Sequence, residues 1–301
     1  KLNLIFPLIK IIKKESWYII EKEEIKNTEQ KELLNPKIDY VFKRVFGYKG
    51  NEDITKSLIS AIMKKNITEL TLEGDKILDK DVLDDKIGIL DIRTKIEKNI
   101  NCDIEMQVVD KKNAEKRILF YASRMMNKSI TPGKDYSSIE KSVAILITDY
   151  ELDSLKNIKK YTTKWNLREE DYGNVILTDA IEIYIIEIPK LEKYSTNTIL
   201  DKWVKFIKNP KVIDMSEKEI KKAKEVLEEI SQDEHARRLA ELREKYIMDQ
   251  KATEDAGFDK GLKQGEKNKS IEIAKKLKSK GFKLDEIYEL TNLPIEEIET
   301  L

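Results

Sequence analysis

The sequence predicts an α/β fold, with a mixed sheet flanked by helices between residues 33 and 210 and a charge-dense helical region from 211 to 301. Two observations carry that expectation. Alternating and continuous apolar runs occur up to about residue 190, interleaved with 3.6-residue periodicities, and beyond that point only helical patterns remain. A third observation, the gathering of acids within one strand, bears on function.

Residues 1–32 form an apolar extension broken by Pro7, Lys10, Lys13 and Lys14. No uninterrupted run approaches the roughly 20 residues a membrane span needs, so we expect a peripheral strand or amphipathic piece and no membrane partner. In "KIDYVFKRVFGYKGNEDITKSLISAIMKKN", Phe42 and Phe46, then Ile54, Leu58, Ile59 and Ile62, recur at helical spacing on either side of Gly47 and Gly50, which predicts two helices. "ITELTLEGDKIL" and "GILDIRTKIE" predict two strands, and "NINCDIEMQVVD" a third, joined to the second by a hairpin turn at "EKNIN". The helix over "NAEKRILFYASRMMNKSI" is stopped by Pro132 and Gly133. "SVAILITDY" is the continuous apolar run of a buried strand, and "AIEIYIIEIPK" predicts another that ends at Pro189. "TILDKWVKFIKN" and the charged stretch from Ser216 onward are helical. Gly257 to Gly265 mark a hinge, and the last segment, broken at Gly281 and Pro294, reads as a small helix-turn-helix-like bundle.

Composition removes several chemistries. The 57 basic and 57 acidic residues cancel, so any basic surface must be local. A single cysteine, Cys102, rules out an internal disulfide and fits a reducing, cytoplasmic setting; its alternation with Ile104 predicts a packed core thiol. A single histidine, His235, in a charged run, argues against histidine catalysis and zinc, which leaves carboxylates to carry any metal site.

The third strand supplies them. Successive strand side chains point to opposite faces, so Asp103, Glu105 and Gln107 share one side while Ile104, Met106 and Val108 share the other. Carboxylates side by side repel unless something positive sits between them. In the preceding strand Asp91 faces away from Leu90 and Ile92, in company with Arg93, and a hairpin brings it onto the face of the acid row. Such hard oxygen ligands suit Mg²⁺ or Mn²⁺, which retain waters and serve phosphate ester hydrolysis.

An Asp in one strand followed by Glu-x-Gln in the next resembles the PD-(D/E)XK nuclease core. "KIDYVFKRVFG", "CDIEMQ", "KRILFYASRM" and "KDYSSIEKSVAILITDY" together resemble, in order and spacing, the Rpn family of recombination-promoting nucleases, also grouped as PD-(D/E)XK transposases, over roughly residues 33–190. The resemblance implies a restriction-endonuclease-like core and a Mg²⁺-dependent DNA endonuclease acting in recombination or against foreign DNA. It implies metal binding by Asp91 and Glu105, and a water-orienting role for Gln107. Gln107 stands where the broader superfamily has Lys, although the Rpn family itself commonly uses Gln. A neutral amide positions water but does not stabilise charge as an ammonium does. Asp103 lies on the same strand face, in a place to assist, although it matches no required motif position. The competing reading is a DNA-binding or scaffolding protein that keeps the nuclease fold without catalysis.

Supporting residues are expected on two helices. Asp39, Phe42, Lys43 and Phe46 share one helix face; Asp39 and Lys43 either join the site or form a surface salt bridge. Arg117, Tyr121 and Arg124 share another face, placed either to grip the DNA backbone or to remain solvated. In the tail, Ile220, Ala223, Val226 or Leu227, Ile230, Leu239, Leu242 and Tyr246 form a narrow apolar stripe that must pack on the body, a neighbouring helix or a second subunit. We expect this region to support a homodimer and to be dispensable for folding of the core.

Overall fold

The computed structural model describes residues 31–73, 91–212 and 216–301; the expected N-terminal extension and the outer ends of the first two predicted strands lie outside these residues. Helices α1 (Asp39–Phe46) and α2 (Glu52–Met63) come first, divided at Gly47 and Gly50. A Cβ on Gly47 would lie 3.0 Å from Ile92 Cγ1, so the glycine lets the end of α1 sit close against the sheet. Strands β1 (Leu70–Glu73), β2 (Ile92–Ile96) and β3 (Ile100–Gln107) pair antiparallel. Helix α3 (Ala114–Lys128) then leads to β4 (Lys141–Thr148), which runs parallel to β3. Strands β5 (Thr162–Arg168) and β6 (Ile176–Glu187) complete a six-stranded sheet in the order β1-β2-β3-β4-β6-β5. Helices α4 (Leu191–Tyr194), α5 (Ile199–Lys208), α6 (Lys218–Gln232), α7 (Glu234–Ser279), α8 (Leu284–Thr291) and α9 (Ile295–Thr300) follow.

The strands expected from alternation are present, and β5 is an addition. The hairpin at "EKNIN" turns through Glu97 (φ 48°) and Lys98 (φ 65°), left-handed positions that favour glycine. Glu97 anchors the turn by accepting the Thr68 amide at 2.5 Å. Lys98→Gly is therefore expected to raise stability by about 1 kcal/mol, read as a higher urea midpoint.

The sheet is covered on both faces. On one, Phe42, Phe46, Trp203 and Phe206 pack with Cys102, Ile104, Met106, Val143, Ile145 and Ile147. On the other, Ala114, Ile118 and Ala122 of α3 pack on Ala144, Leu146 and Ile185. Cys102 is buried, and burial pushes its thiol pKa up, as expected of a core residue.

The tail departs from expectation in two ways. Ile220, Ala223, Leu227, Ile230 and Leu239 join the main core, so the stripe is consumed by the body. The compact unit accordingly continues to Arg243, past the expected boundary at 210. The helix also continues through Gly257, Gly261 and Gly265, because the Ala, Lys, Glu and Gln around them are strong helix formers that offset a cost of about 1 kcal/mol per glycine. The second unit, Glu244–Leu301, has its own small core of Ala274, Ile287, Leu293 and Ile298, as the expected bundle requires. Its last helix carries Glu296, Glu297 and Glu299, a sign of charge that repels phosphate. Among the described residues no helix is long and apolar enough to cross a membrane.

Candidate active site

The β2–β3 register places Arg93 opposite Asp103 and Ile92 opposite Ile104; extended by one residue, it sets Asp91 opposite Glu105. The pleat buries Ile104 and Met106 in one core and leaves Asp103 and Glu105 on the opposite face, as the alternation predicts. Asp91, Asp103 and Glu105 are 8%, 3% and 4% exposed. Three acids so withdrawn from water need compensation.

Glu105 has part of it. Its Oε1 accepts from Gln107 Nε2 at 2.8 Å and lies 2.5 Å from Arg117 Nη2. Its Oε2 is buried without a hydrogen-bond partner among the described residues, and so is Oδ1 of Asp103. Burial, partly offset by Arg117 and reinforced by the Asp91 charge, pushes the Glu105 carboxyl up to about 7. Asp103 is raised as well, through burial and then the Asp91 charge, against the opposing effects of Arg93 and Lys43. Arg117 carries the ring of Tyr121 at 5.5 Å, which holds the guanidinium from its other side.

Of the predicted site residues, the structure gathers Asp91, Asp103, Glu105, Gln107, Arg117 and Tyr121, with Lys43 near enough to act on Asp103. Asp39 goes elsewhere: its carboxylate is gripped through both oxygens by Arg243 of α7, with Nε at 3.0 Å from Oδ1. It ties α1 to the start of α7. Arg117, read as either gripping DNA or remaining solvated, turns inward to Glu105.

Tyr150 was not anticipated. Its hydroxyl donates to Gln107 Oε1 at 2.7 Å, which fixes the amide so that its NH₂ points at Glu105. Only the parallel pairing of Gln107 with Thr148 brings Tyr150 there, and a parallel register leaves no mark in the sequence. Beside the row opens a cleft of about 410 Å³ lined by Asp103, Tyr121, Arg93, Lys95, Arg124 and Lys128 among others. Lys128 extends the predicted α3 face to the spacing 0, 4, 7, 11.

Among the described residues no three acid, His or Cys groups stand ready-made around a metal position. The two orphaned carboxylate oxygens nevertheless suit a hard cation that keeps several waters and needs only one or two protein carboxylates.

The pH dependence of the metal-free protein follows. Glu105 has a higher pKa folded than its ordinary 4.5, so between pH 4.5 and about 7 the folded state holds more proton than the unfolded. The stability contributed by protonated Glu105 is full below pH 4.5 and is lost as pH rises through about 7, on the order of 3 kcal/mol. In EDTA the urea midpoint is expected to fall across this window, and Glu105→Gln to flatten the fall. Unchanged slopes would show that Glu105 is not the group responsible.

A helix and an antiparallel hairpin leading into parallel strands, with paired acids on the central strand, define a nuclease-type α/β core. Residues 36–257 match the model of the PD-(D/E)XK nuclease family transposases, and the chain belongs to that family. Membership brings a nuclease or transposase type of function, in a family class that generally uses divalent metal ions. The match runs past β6 through α6 and into α7. No curated protein and no solved structure shows significant similarity to the chain.

Proposed function

We propose that the chain is a cytoplasmic, divalent-metal-dependent DNA endonuclease that hydrolyses phosphodiester bonds in recombination or in defence against foreign DNA. The observation that carries this reading is the pair of buried, unpartnered carboxylate oxygens, Asp103 Oδ1 and Glu105 Oε2, on one face of β3. Left alone each costs on the order of 1–3 kcal/mol or more, and a bound cation removes that cost.

In this reading Asp91 and Glu105 hold Mg²⁺, or Mn²⁺ in its place, with Asp103 beside them. The bound ion supplies a lowered pKa for water and a counter-charge for the scissile phosphate. Gln107, its amide set by Tyr150, orients the attacking water. Arg117 keeps Glu105 aimed and provides the positive charge that Gln107 lacks. Arg93, Arg124 and Lys128 meet phosphates of DNA entering the cleft, whereas Lys95 is partly neutralised by Glu140 at 2.9 Å. Asp39 contributes by position, fixing the helix that carries Lys43.

A second reading, a nuclease-fold protein that binds DNA without cutting it, is favoured by one observation: the Gln107 amide is neutral and already engaged on both sides. Supercoiled plasmid incubated with the full chain and Mg²⁺ separates the two. Nicking that EDTA stops supports the enzyme. Calorimetry showing no Mn²⁺ binding at millimolar metal, in a protein that still retards DNA in a gel, establishes the binder.

Cutting two strands favours two active sites held at a fixed separation, and we assign the pairing to residues 244–301. Met248, Phe258 and Leu262 of α7 are 60%, 72% and 53% exposed there, which is unusual for apolar side chains on a charged helix.

A further inference from the structure

A second and larger cleft, about 980 Å³, runs along the far edge of the sheet beside β5, between the C-terminal end of α2 and the N-terminal end of α5. Strands β4 and β6 stand between β5 and the acid row, a separation of roughly 14 Å at about 4.8 Å per strand. It is thus a different place from the nuclease site.

Among the described residues its lining carries Lys64, Lys159, Lys160 and Lys164 and no Asp or Glu. In a chain whose 57 bases and 57 acids cancel, that is a local excess of the kind composition alone cannot reveal. Lys164 is engaged, 3.1 Å from Glu182. Lys64, Lys159 and Lys160 are exposed and make no ion pair among the described residues. The carboxylate of Asp201, at the α5 wall, is 1% exposed and accepts from the Tyr161 hydroxyl at 2.5 Å and from the amides of Thr196 and Asn197 at 2.7 and 2.8 Å. It forms no ion pair with these lysines among the described residues.

Two details point to a ligand. Trp165 lies 42% exposed in the lining, and its indole Nε1 donates to Thr163 Oγ1 at 2.8 Å, which fixes the ring while leaving it open to stacking. Lys64 occupies the left-handed C-cap of α2 at φ 53°, a place where glycine is the usual residue and a side chain is strained. The lysine places an exposed ammonium at the mouth of the cleft from that position.

We propose that this cleft is a metal-independent binding site for single-stranded nucleic acid. The free lysines take successive phosphates and Trp165 stacks under a base. A duplex keeps its bases stacked on one another and leaves an exposed indole nothing to cover, whereas a single strand supplies both a polyanion and open base faces. An acidic peptide adding to the free edge of β5 is the rival occupant.

The test is fluorescence anisotropy of a fluorescein-labelled 20-nucleotide oligo(dT) with the full chain in EDTA, where no cleavage intervenes. Lys159→Glu/Lys160→Glu is expected to weaken binding at least tenfold and to reduce the slope of log K against log salt by about 1.4, the value for two single-strand phosphates. Trp165→Ala should weaken binding about tenfold with little change in salt slope. Lys64→Gly should weaken binding while raising the melting temperature, a combination that general structural damage cannot produce. The acid row should be irrelevant, so Glu105→Gln should bind as the wild type does. The idea is overturned if wild type fails to bind at low salt, or if a poly-glutamate peptide binds tighter than oligo(dT). Binding that ignores the lysine changes but is lost in Arg124→Glu/Lys128→Glu would place the strand in the nuclease cleft and overturn it equally.

Discussion

Glu105→Gln is expected to reduce plasmid cleavage by at least about a thousandfold, the equivalent of roughly 4 kcal/mol of lost charge stabilisation. Glutamine keeps the shape of the side chain, so the fold and the packing against α3 should survive and circular dichroism should be unchanged. The same variant should lose the heat of Mn²⁺ binding, because it removes the oxygen charge at Oε2, one of the two buried carboxylate oxygens with no hydrogen-bond partner among the described residues. It should also be more stable than wild type at pH 8 in EDTA, since it abolishes a carboxylate whose ionisation burial opposes. Activity equal to wild type would assign the cutting to another site or a contaminant. Lost activity with metal binding intact would move Glu105 from metal ligand to a role through Arg117.

The acid row and the hairpin were legible because a strand's two-residue period is geometric: once "DIEMQ" is a strand, its acids must share a face. What could not be read is whatever depends on chain segments meeting at long range. The Arg243 to Asp39 pair joins positions 204 residues apart, and Tyr150 reaches Gln107 through a parallel register. β5 escaped notice because only Trp165 and Leu167 interrupt its polar residues, and both remain exposed on an edge strand. The glycine spacing at 257–265 was legible as a weakened, hinge-like stretch, and the helix continues through it because propensity penalties near 1 kcal/mol are small beside the support of a long helix. The α6 stripe was legible as apolar, while its partner was not, because amphipathic spacing says that a face must be covered and is silent about what covers it.

That partner sets the last expectation. A chain ending at Pro210 is expected to be insoluble or unfolded, whereas one ending near Asp249 should fold with the stability of the full-length body. Ending at 210 strips Ile220, Leu227, Ile230 and Leu239 from the main core, and each is 5% exposed or less. At about 1.5–3 kcal/mol for a buried aliphatic side chain, these four are worth roughly 6–12 kcal/mol, which is comparable with the whole stability of an ordinary domain, about 5–15 kcal/mol. The cut also removes Arg243 and leaves the Asp39 carboxylate without its bidentate partner, and it removes the Ser231 hydroxyl that accepts the Leu34 amide at 3.0 Å. Ending near Asp249 keeps all of these and deletes most of the second unit. Light scattering on that longer fragment then isolates self-association: the full chain should be a dimer and the fragment a monomer. A soluble, cooperatively melting fragment ending at Pro210 would show that α6 is not part of the fold's core, and a dimeric fragment ending at Asp249 would remove the pairing from residues 250–301.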